Sequence, residues 1–200
     1  FQELEIVVVD GGSNEGLIFE PQQQVRILRT ERGRALQLRA GVASTHRPWL
    51  WFLHADSLVT GRVVEALQLA LGSAQWGRFD ITLSRDRPWF RLIAAAVNQR
   101  SAMTSICTGD QGIFVRRALL ERIGGIPDQP LMEDIELSKR LRRIAKPTRI
   151  RTVLGASSRR WENHGTVRTI LLMWELRLRY FFGTSPEVLA ARYYPDGRWV

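Results

Sequence analysis

Apolar positions along the chain fall in short runs cut by polar and glycine-rich breaks. Residues 4–9 form one run, and residues 49–57 form another, Trp-Leu-Trp-Phe-Leu-His-Ala-Asp-Ser, whose apolar stretch stops at His54 and Asp56. Runs of this length bounded by polar clusters suit strands buried on both faces of a largely parallel sheet. Further strands are predicted at 25–28, 76–83, 113–115 and 150–154, and helices at 34–43, 60–71, 88–103, 117–123 and 132–144. In the second helix Val63, Val64, Leu67 and Leu71 share the inner face, with Thr60 as its cap and Gly72 as its stop. Strands alternating with helices in this way predict an α/β layered fold, a mostly parallel sheet flanked by helices. In the final third Val167, Ile170, Leu171, Trp174, Leu178 and Phe181 fall on one helical stripe, while Arg168, Glu175 and Arg177 lie off it. That stripe is expected to pack on the domain or on a second subunit, or else to dock on an acidic membrane surface.

The 200 residues suit one domain. They divide into a ligand-binding half at 1–72, a second half at 73–165 and a C-terminal helical segment at 166–200. Formal net charge is +9 and the pI about 11.0, with Lys139 and Lys146 the only lysines, so the basicity is that of arginine. Such a surface favours phosphates, acidic headgroups or nucleic acid, and a basic nucleic-acid-binding domain is the alternative that charge alone suggests. Cys107 is the only cysteine, which excludes an internal disulfide and suits a reducing, cytoplasmic compartment. No run of apolar residues is long enough to predict a membrane span. The chain opens at Phe1 and enters a strand at once, which leaves open that a first strand before it is missing.

The predicted strand ends carry the chemistry, because ligands gather at the carboxyl ends of strands in such sheets. Asp10 ends one run and is followed by Gly11-Gly12, which let the backbone turn and approach a ligand closely. A carboxylate there accepts hydrogen bonds from a base or ribose, or closes an Asx turn. Asp56 offers hard oxygen to a divalent cation, and His54, two residues earlier on the same predicted strand face, offers a second ligand or a support. Glu133-Asp134 opens a predicted helix, where acids are favoured by the macrodipole and where a carboxylate can act as general base toward a hydroxyl. Arg159-Arg160-Trp161 and Asn163-His164-Gly165 supply guanidinium groups and an aromatic face, or only a basic loop. Phosphate-loop, dinucleotide and nucleophile-elbow signatures are absent from the sequence.

Taken in order, Val7-Val8-Val9-Asp10-Gly11-Gly12-Ser13, Gly33-Arg34-Ala35, Phe52-Leu53-His54-Ala55-Asp56-Ser57, Gly109-Asp110-Gln111-Gly112 and Glu133-Asp134-Ile135-Glu136-Leu137 resemble the family 2 glycosyltransferases of the GT-A fold. The spelling His-Ala-Asp and the ending at 174–194 are similar to a small bacterial subgroup sometimes assigned to arsenosugar biosynthesis. The resemblance implies inverting transfer of a sugar from a nucleotide-diphosphate donor, expected to be a UDP-sugar, to an acceptor hydroxyl, helped by Mn2+ or Mg2+. It implies Asp10, with Gly12, and Arg34 on the nucleotide, and Asp56 on the metal and diphosphate. His54 stands where the first acid of the Asp-x-Asp motif would. By the same resemblance Asp134 is the catalytic base and Glu133, Gly109, Asp110 and Gln111 line the acceptor side. Arg160 and Trp161 match a late loop over the donor, and His164 is a further metal or diphosphate contact. An inactive nucleotide-sugar binder, lacking the N-terminal strand, is the second alternative. Specific nucleic-acid binding is not expected under this resemblance. A homodimer through the C-terminal helix and peripheral contact with the inner membrane face are the expected associations.

Overall fold

The computed structural model describes residues 4–13, 25–85, 87–159, 162 and 165–194. These residues form six strands and seven α-helices. Strand β1 (Ile6–Asp10) pairs in parallel with β2 (Val25–Arg29), and α1 (Arg34–Ala43) follows. Next come β3 (Trp49–Trp51), α2 (Gly61–Leu71), β4 (Trp76–Leu83) and α3 (Pro88–Thr104). A single 3-10 turn, Gly109–Gln111, leads into β5 (Phe114–Arg116), α4 (Arg117–Arg122), α5 (Glu133–Arg142) and β6 (Thr148–Ala156). Two more helices, α6 (Thr166–Phe181) and α7 (Pro186–Tyr193), end the described chain.

The strands form two sheets, the β1–β2 pair and a four-stranded sheet of order β3-β5-β4-β6. In the larger sheet β5 runs antiparallel to both β3 and β4, while β6 is parallel to β4, so three strands share one direction and β5 opposes them. One face of this sheet presents Phe79, Phe114, Ile150 and Leu154 to Val63 and Leu67 of α2. Leu50, Trp76 and Val115 meet Leu119 and Leu120 of α4 and Leu137 and Leu141 of α5 in a second cluster. β4 is covered on both faces and is buried almost throughout, so its side chains do not alternate between core and solvent as the sequence pattern suggests. Gly77 in β4 is required by close approach: a Cβ there would lie 2.3 Å from the Thr148 carbonyl of β6.

Three expectations change. The strand predicted over 49–57 ends at Trp51, because its partner β5 has only three residues and Gly112 turns the chain away before it. Phe52 still donates to the Ile113 carbonyl at 2.8 Å, after which Ala55 and Asp56 form a turn. His54 and Asp56 therefore do not share a strand face. The C-terminal stripe does not pack on the domain: Val167, Leu171, Trp174, Leu178 and Phe181 are exposed, and α6 instead buries Thr169 and Leu176. Thr60 holds the N-cap position of α2 without a side-chain hydrogen bond, and Gly72 ends that helix in an ordinary right-handed conformation.

The last two helices close over α5. Leu176 of α6 and Leu189 and Ala190 of α7 pack on Leu131, Met132 and Ile135, so they roof the N-terminal turn of α5. Tyr180 fastens that roof, its hydroxyl donating to Glu136 Oε2 at 3.1 Å while Lys139 lies over its ring.

Candidate active site

The loop before β5 and the start of α5 are built as one unit. Ser138 of α5 accepts from the Cys107 N–H at 3.0 Å and donates back to the Cys107 carbonyl at 3.2 Å. Gln111 is wholly buried: its amide nitrogen donates to Ser101 Oγ at 2.9 Å, and its carbonyl oxygen accepts from Thr108 N–H at 3.2 Å. Gln111 therefore locks the 3-10 turn to α3 and does not reach an acceptor, contrary to expectation. Cys107 is packing, its thiol pushed up to about 12 chiefly by burial, which leaves it inert.

This scaffold fixes Asp134. Its Oδ2 accepts from the Gly109 N–H at 2.9 Å, and its Oδ1 accepts from the Ile135 N–H at 2.7 Å. Met132, the N-cap residue of α5, has φ 65°, a left-handed conformation rare for a bulky side chain, and it turns the chain so that Glu133 and Asp134 enter together. Asp134 lines a cavity of about 70 Å³ with Arg34, Thr108, Asp110, Glu133 and Arg177. Glu133 is nearly inaccessible; burial first and the Asp134 charge next push its carboxyl up to about 7, against the opposing pull of Arg34. Arg34 opens α1. Burial works against its charge, but Tyr194, Glu133, Asp134 and Asp110 hold its pKa above the usual value. The structure thus seats Arg34 among the acids of this cavity.

His54 reaches the same cluster. Its Nδ1 lies 3.3 Å from Asp110 Oδ1, and its Nε2 sits where a Cβ on Gly109 would fall, 2.4 Å away. Asp56, two residues on, is engaged separately: Arg159 donates to its Oδ2 at 3.3 Å, and its side chain is 39% exposed. Asp10 keeps its hydrogen bonds within its own turn, accepting from Ser13 Oγ at 2.7 Å, Ser13 N–H at 2.9 Å and Gly12 N–H at 3.2 Å. The Ser13 bonds lead the forces that hold its carboxyl below the usual range. Arg160, Trp161 and His164 lie outside the described residues.

Two participants escape the reading of the sequence. There Arg177 only lies off the apolar stripe, yet that position is what turns it into the cavity. Arg100, on α3, shares its surroundings, for the charges of Arg177, Asp134 and Asp110 all act on it. Among the described residues no three His, Cys, Asp or Glu side chains converge as a ready-made metal cluster.

A sheet with one reversed strand, flanked by helices and carrying acids beyond its strand ends, is the GT-A glycosyltransferase fold. The chain belongs to the glycosyl transferase family 2, whose model matches residues 1–119. Two solved structures are similar in fold. S. aureus TarS 1–349 is 13% identical with a TM-score of 0.60, over 78% of this chain and 52% of that one. Mannosyltransferase PcManGT from Pyrobaculum calidifontis, in complex with GDP-Man and Mn2+, is 21% identical with a TM-score of 0.59, over 95% of this chain and 60% of that one. The chain thus spans between half and three fifths of the length of these structures. A comparison with curated proteins gives no match.

Proposed function

We propose that the chain transfers a sugar from a nucleotide-diphosphate donor to an acceptor hydroxyl with inversion, and that Asp134 is the general base. The observation that carries this reading is the seating of Asp134, held by two backbone N–H groups in a cavity flanked by Arg34 and Arg177. The carboxylate takes the hydroxyl proton as the acceptor oxygen attacks the anomeric carbon, and the bond from that carbon to the diphosphate breaks on the opposite side. A single displacement needs one base and no covalent intermediate. Asp110 holds His54 and Gly109 holds Asp134, so one short loop aligns both sides of the reaction. Asp10 and Gly12 belong to the nucleotide side, as does Arg34 by resemblance, and Arg34 lines the cavity with Glu133 and Asp134.

Asp56 fits a divalent cation as a half-exposed carboxylate on a turn, with Arg159 as its present partner, and diphosphate oxygens would complete the coordination. Mn2+ or Mg2+ held by Asp56 would offset the negative charge that develops on the departing diphosphate. The similar PcManGT structure, with its GDP-Man and Mn2+, supports a donor and metal of this class. A panel of UDP, GDP and other nucleoside diphosphates, with and without Mn2+, reads the base directly as a rise in melting temperature. Asp134→Asn is expected to keep that rise and to lose transfer by about 10²–10⁴-fold. Full transfer by Asp134→Asn removes the proposed base, and no response to any nucleotide removes the transferase reading.

The outward face of α6 suggests where the reaction takes place. No helix among the described residues is long and apolar enough to cross a membrane. The exposed stripe on α6 is bordered by Arg168 and Arg179 on a chain of net charge +9, which suits peripheral contact with an anionic lipid surface.

A further inference from the structure

We propose that Arg100 and Arg177 form a binding site for an oxyanion carried by the acceptor, a phosphate or carboxylate group beside Asp134. The inference rests on Asp134 as the base. Arg100 comes from the last turns of α3 and Arg177 from α6, the helix that roofs α5, and the charge of Arg177 acts on Arg100. Nε and Nη2 of Arg100 and Nε of Arg177 are shielded from solvent and have no hydrogen-bond partner among the described residues. Buried polar groups are nearly always paired, and an unpaired charged donor is costly.

Arg78, 1% exposed, shows what this fold does with a buried guanidinium that has only a structural task. It pairs with Asp80 and donates to the Phe79 and Asn98 carbonyls at 3.1 and 3.0 Å. Arg100 and Arg177 are treated differently. Burial, then the charge of Arg177, pushes Arg100 down to about 10, and burial lowers Arg177 as well. The acids that offset these costs are Asp134 and Asp110, and both are already committed: Asp134 to Gly109 and Ile135, Asp110 to His54. Two neighbouring like charges with unpartnered donors suit an oxyanion, which accepts from the planar guanidinium fork.

The carboxylate proposed for metal and diphosphate, Asp56, is engaged by Arg159, whereas Arg177 lines the cavity of Asp134. The base must face the acceptor, on the side opposite the leaving group, so an anion beside Asp134 arrives with the acceptor. Arg177 lines the cavity of about 70 Å³ together with Asp134 and Asp110, so an anion held by its guanidinium lies beside the base.

The test titrates inorganic phosphate, and separately acetate, into the parent protein, Arg100→Gln and Arg177→Gln, following melting temperature and calorimetric heat. The same three proteins are titrated with the nucleoside diphosphate that the parent prefers, in Mn2+. Saturable phosphate or acetate binding by the parent, weakened at least about tenfold in each variant while the nucleotide response is kept, is the expected result; the tighter of the two anions names the acceptor group. Each unliganded variant should melt no lower than the parent, because an unpaired buried charge has been removed. If a Gln variant does not fold, Arg177→Lys keeps the charge but not the fork, and it should bind the anion more weakly. No anion binding by the parent, or unchanged binding in the variants, overturns the proposal. Equal loss of anion and nucleotide binding also overturns it, since the pair then serves the donor. Anion binding through the pair in a protein that answers to no nucleotide upholds the site and sinks the transferase reading beneath it.

Discussion

Gly109 lies so close under the His54 imidazole that a single methyl group there must displace the ring. The added Cβ of Gly109→Ala would fall 2.4 Å from His54 Nε2, and the imidazole must swing off Asp110. The Gly109 N–H to Asp134 is retained by alanine, so the base keeps its partner while His54 is displaced. Gly109→Ala is therefore expected to weaken the Mn2+-dependent nucleotide response by about tenfold, with little loss of stability, because only the partly exposed His54 ring has to move. An unchanged nucleotide response would show that His54 has no part in the donor side. Glu133 gives a pH signature. Its folded pKa of about 7 lies above its ordinary value of 4.5, so the native state favours the protonated form. That contribution to stability is whole below about pH 4.5 and is lost as the pH rises through 7. Glu133→Gln removes the titration and should melt above the parent at pH 8, by roughly 1–3 kcal/mol, with the gap closing toward pH 4.5. A gap of the same size at both pH values would mean that Glu133 is not held in the way described.

At the level of elements, the weak point is the seam between β4 and β6. Their register shifts between Phe79 and Asp80, where Asp80 takes Arg78 from its own strand and Arg149 from β6, the latter at 2.8 and 3.0 Å. Burial acts against the Asp80 charge, yet hydrogen bonds from Arg149 and Arg78 hold its carboxyl below the usual range. Asp80→Ala leaves Arg78 buried without its anion and is expected to cost about 3–5 kcal/mol in chemical denaturation. For the conservative Asp80→Asn, the parent's advantage should be present above pH 4 and fade as the acid is protonated below it. This pair is invisible in the sequence, where Arg78 and Asp80 look like the polar positions of a half-exposed strand. The helix at 60–71 is legible because its hydrophobic spacing reports the burial of Val63 and Leu67, whereas the strand at 76–83 is legible in its bounds and not in its burial. The family resemblance singles out Asp10, Asp56 and Asp134 in chain order, and of these Asp134 lines the cavity. Arg100 and Arg177 are not legible, since what makes them notable is the closing of α6 over α5, and no local pattern encodes that contact. The reach of the strand at 49–57 is misread for a related reason: its length is set by the three residues of β5, not by its own apolar run.

For the molecule as a whole, the question is what becomes of the apolar face that α6 turns outward. Trp174 is 72% exposed and Phe181 77%, with Val167, Leu171, Leu178 and Phe182 exposed beside them. The inner face of the same helix carries Arg177 into the cavity and Leu176 into the core, so the helix cannot rotate to hide its apolar side without dismantling the site. A contiguous apolar patch of this kind marks an interaction surface. The net charge of +9 points to an acidic one, and a lipid surface satisfies both terms at once. The chain is expected to co-sediment with vesicles containing anionic lipid, to do so less as salt rises, and to bind neutral phosphatidylcholine vesicles weakly. Trp174→Ser with Phe181→Ser should abolish most of that binding while leaving melting temperature and the nucleotide response unchanged, because neither side chain touches the core. A parent that ignores anionic vesicles but sediments as a dimer, which the double variant converts to monomer, would assign the face to a second copy of the chain instead. Binding to anionic vesicles would bear on the acceptor, because a surface that docks on lipid brings the cavity roofed by the same helix to the level of the headgroups.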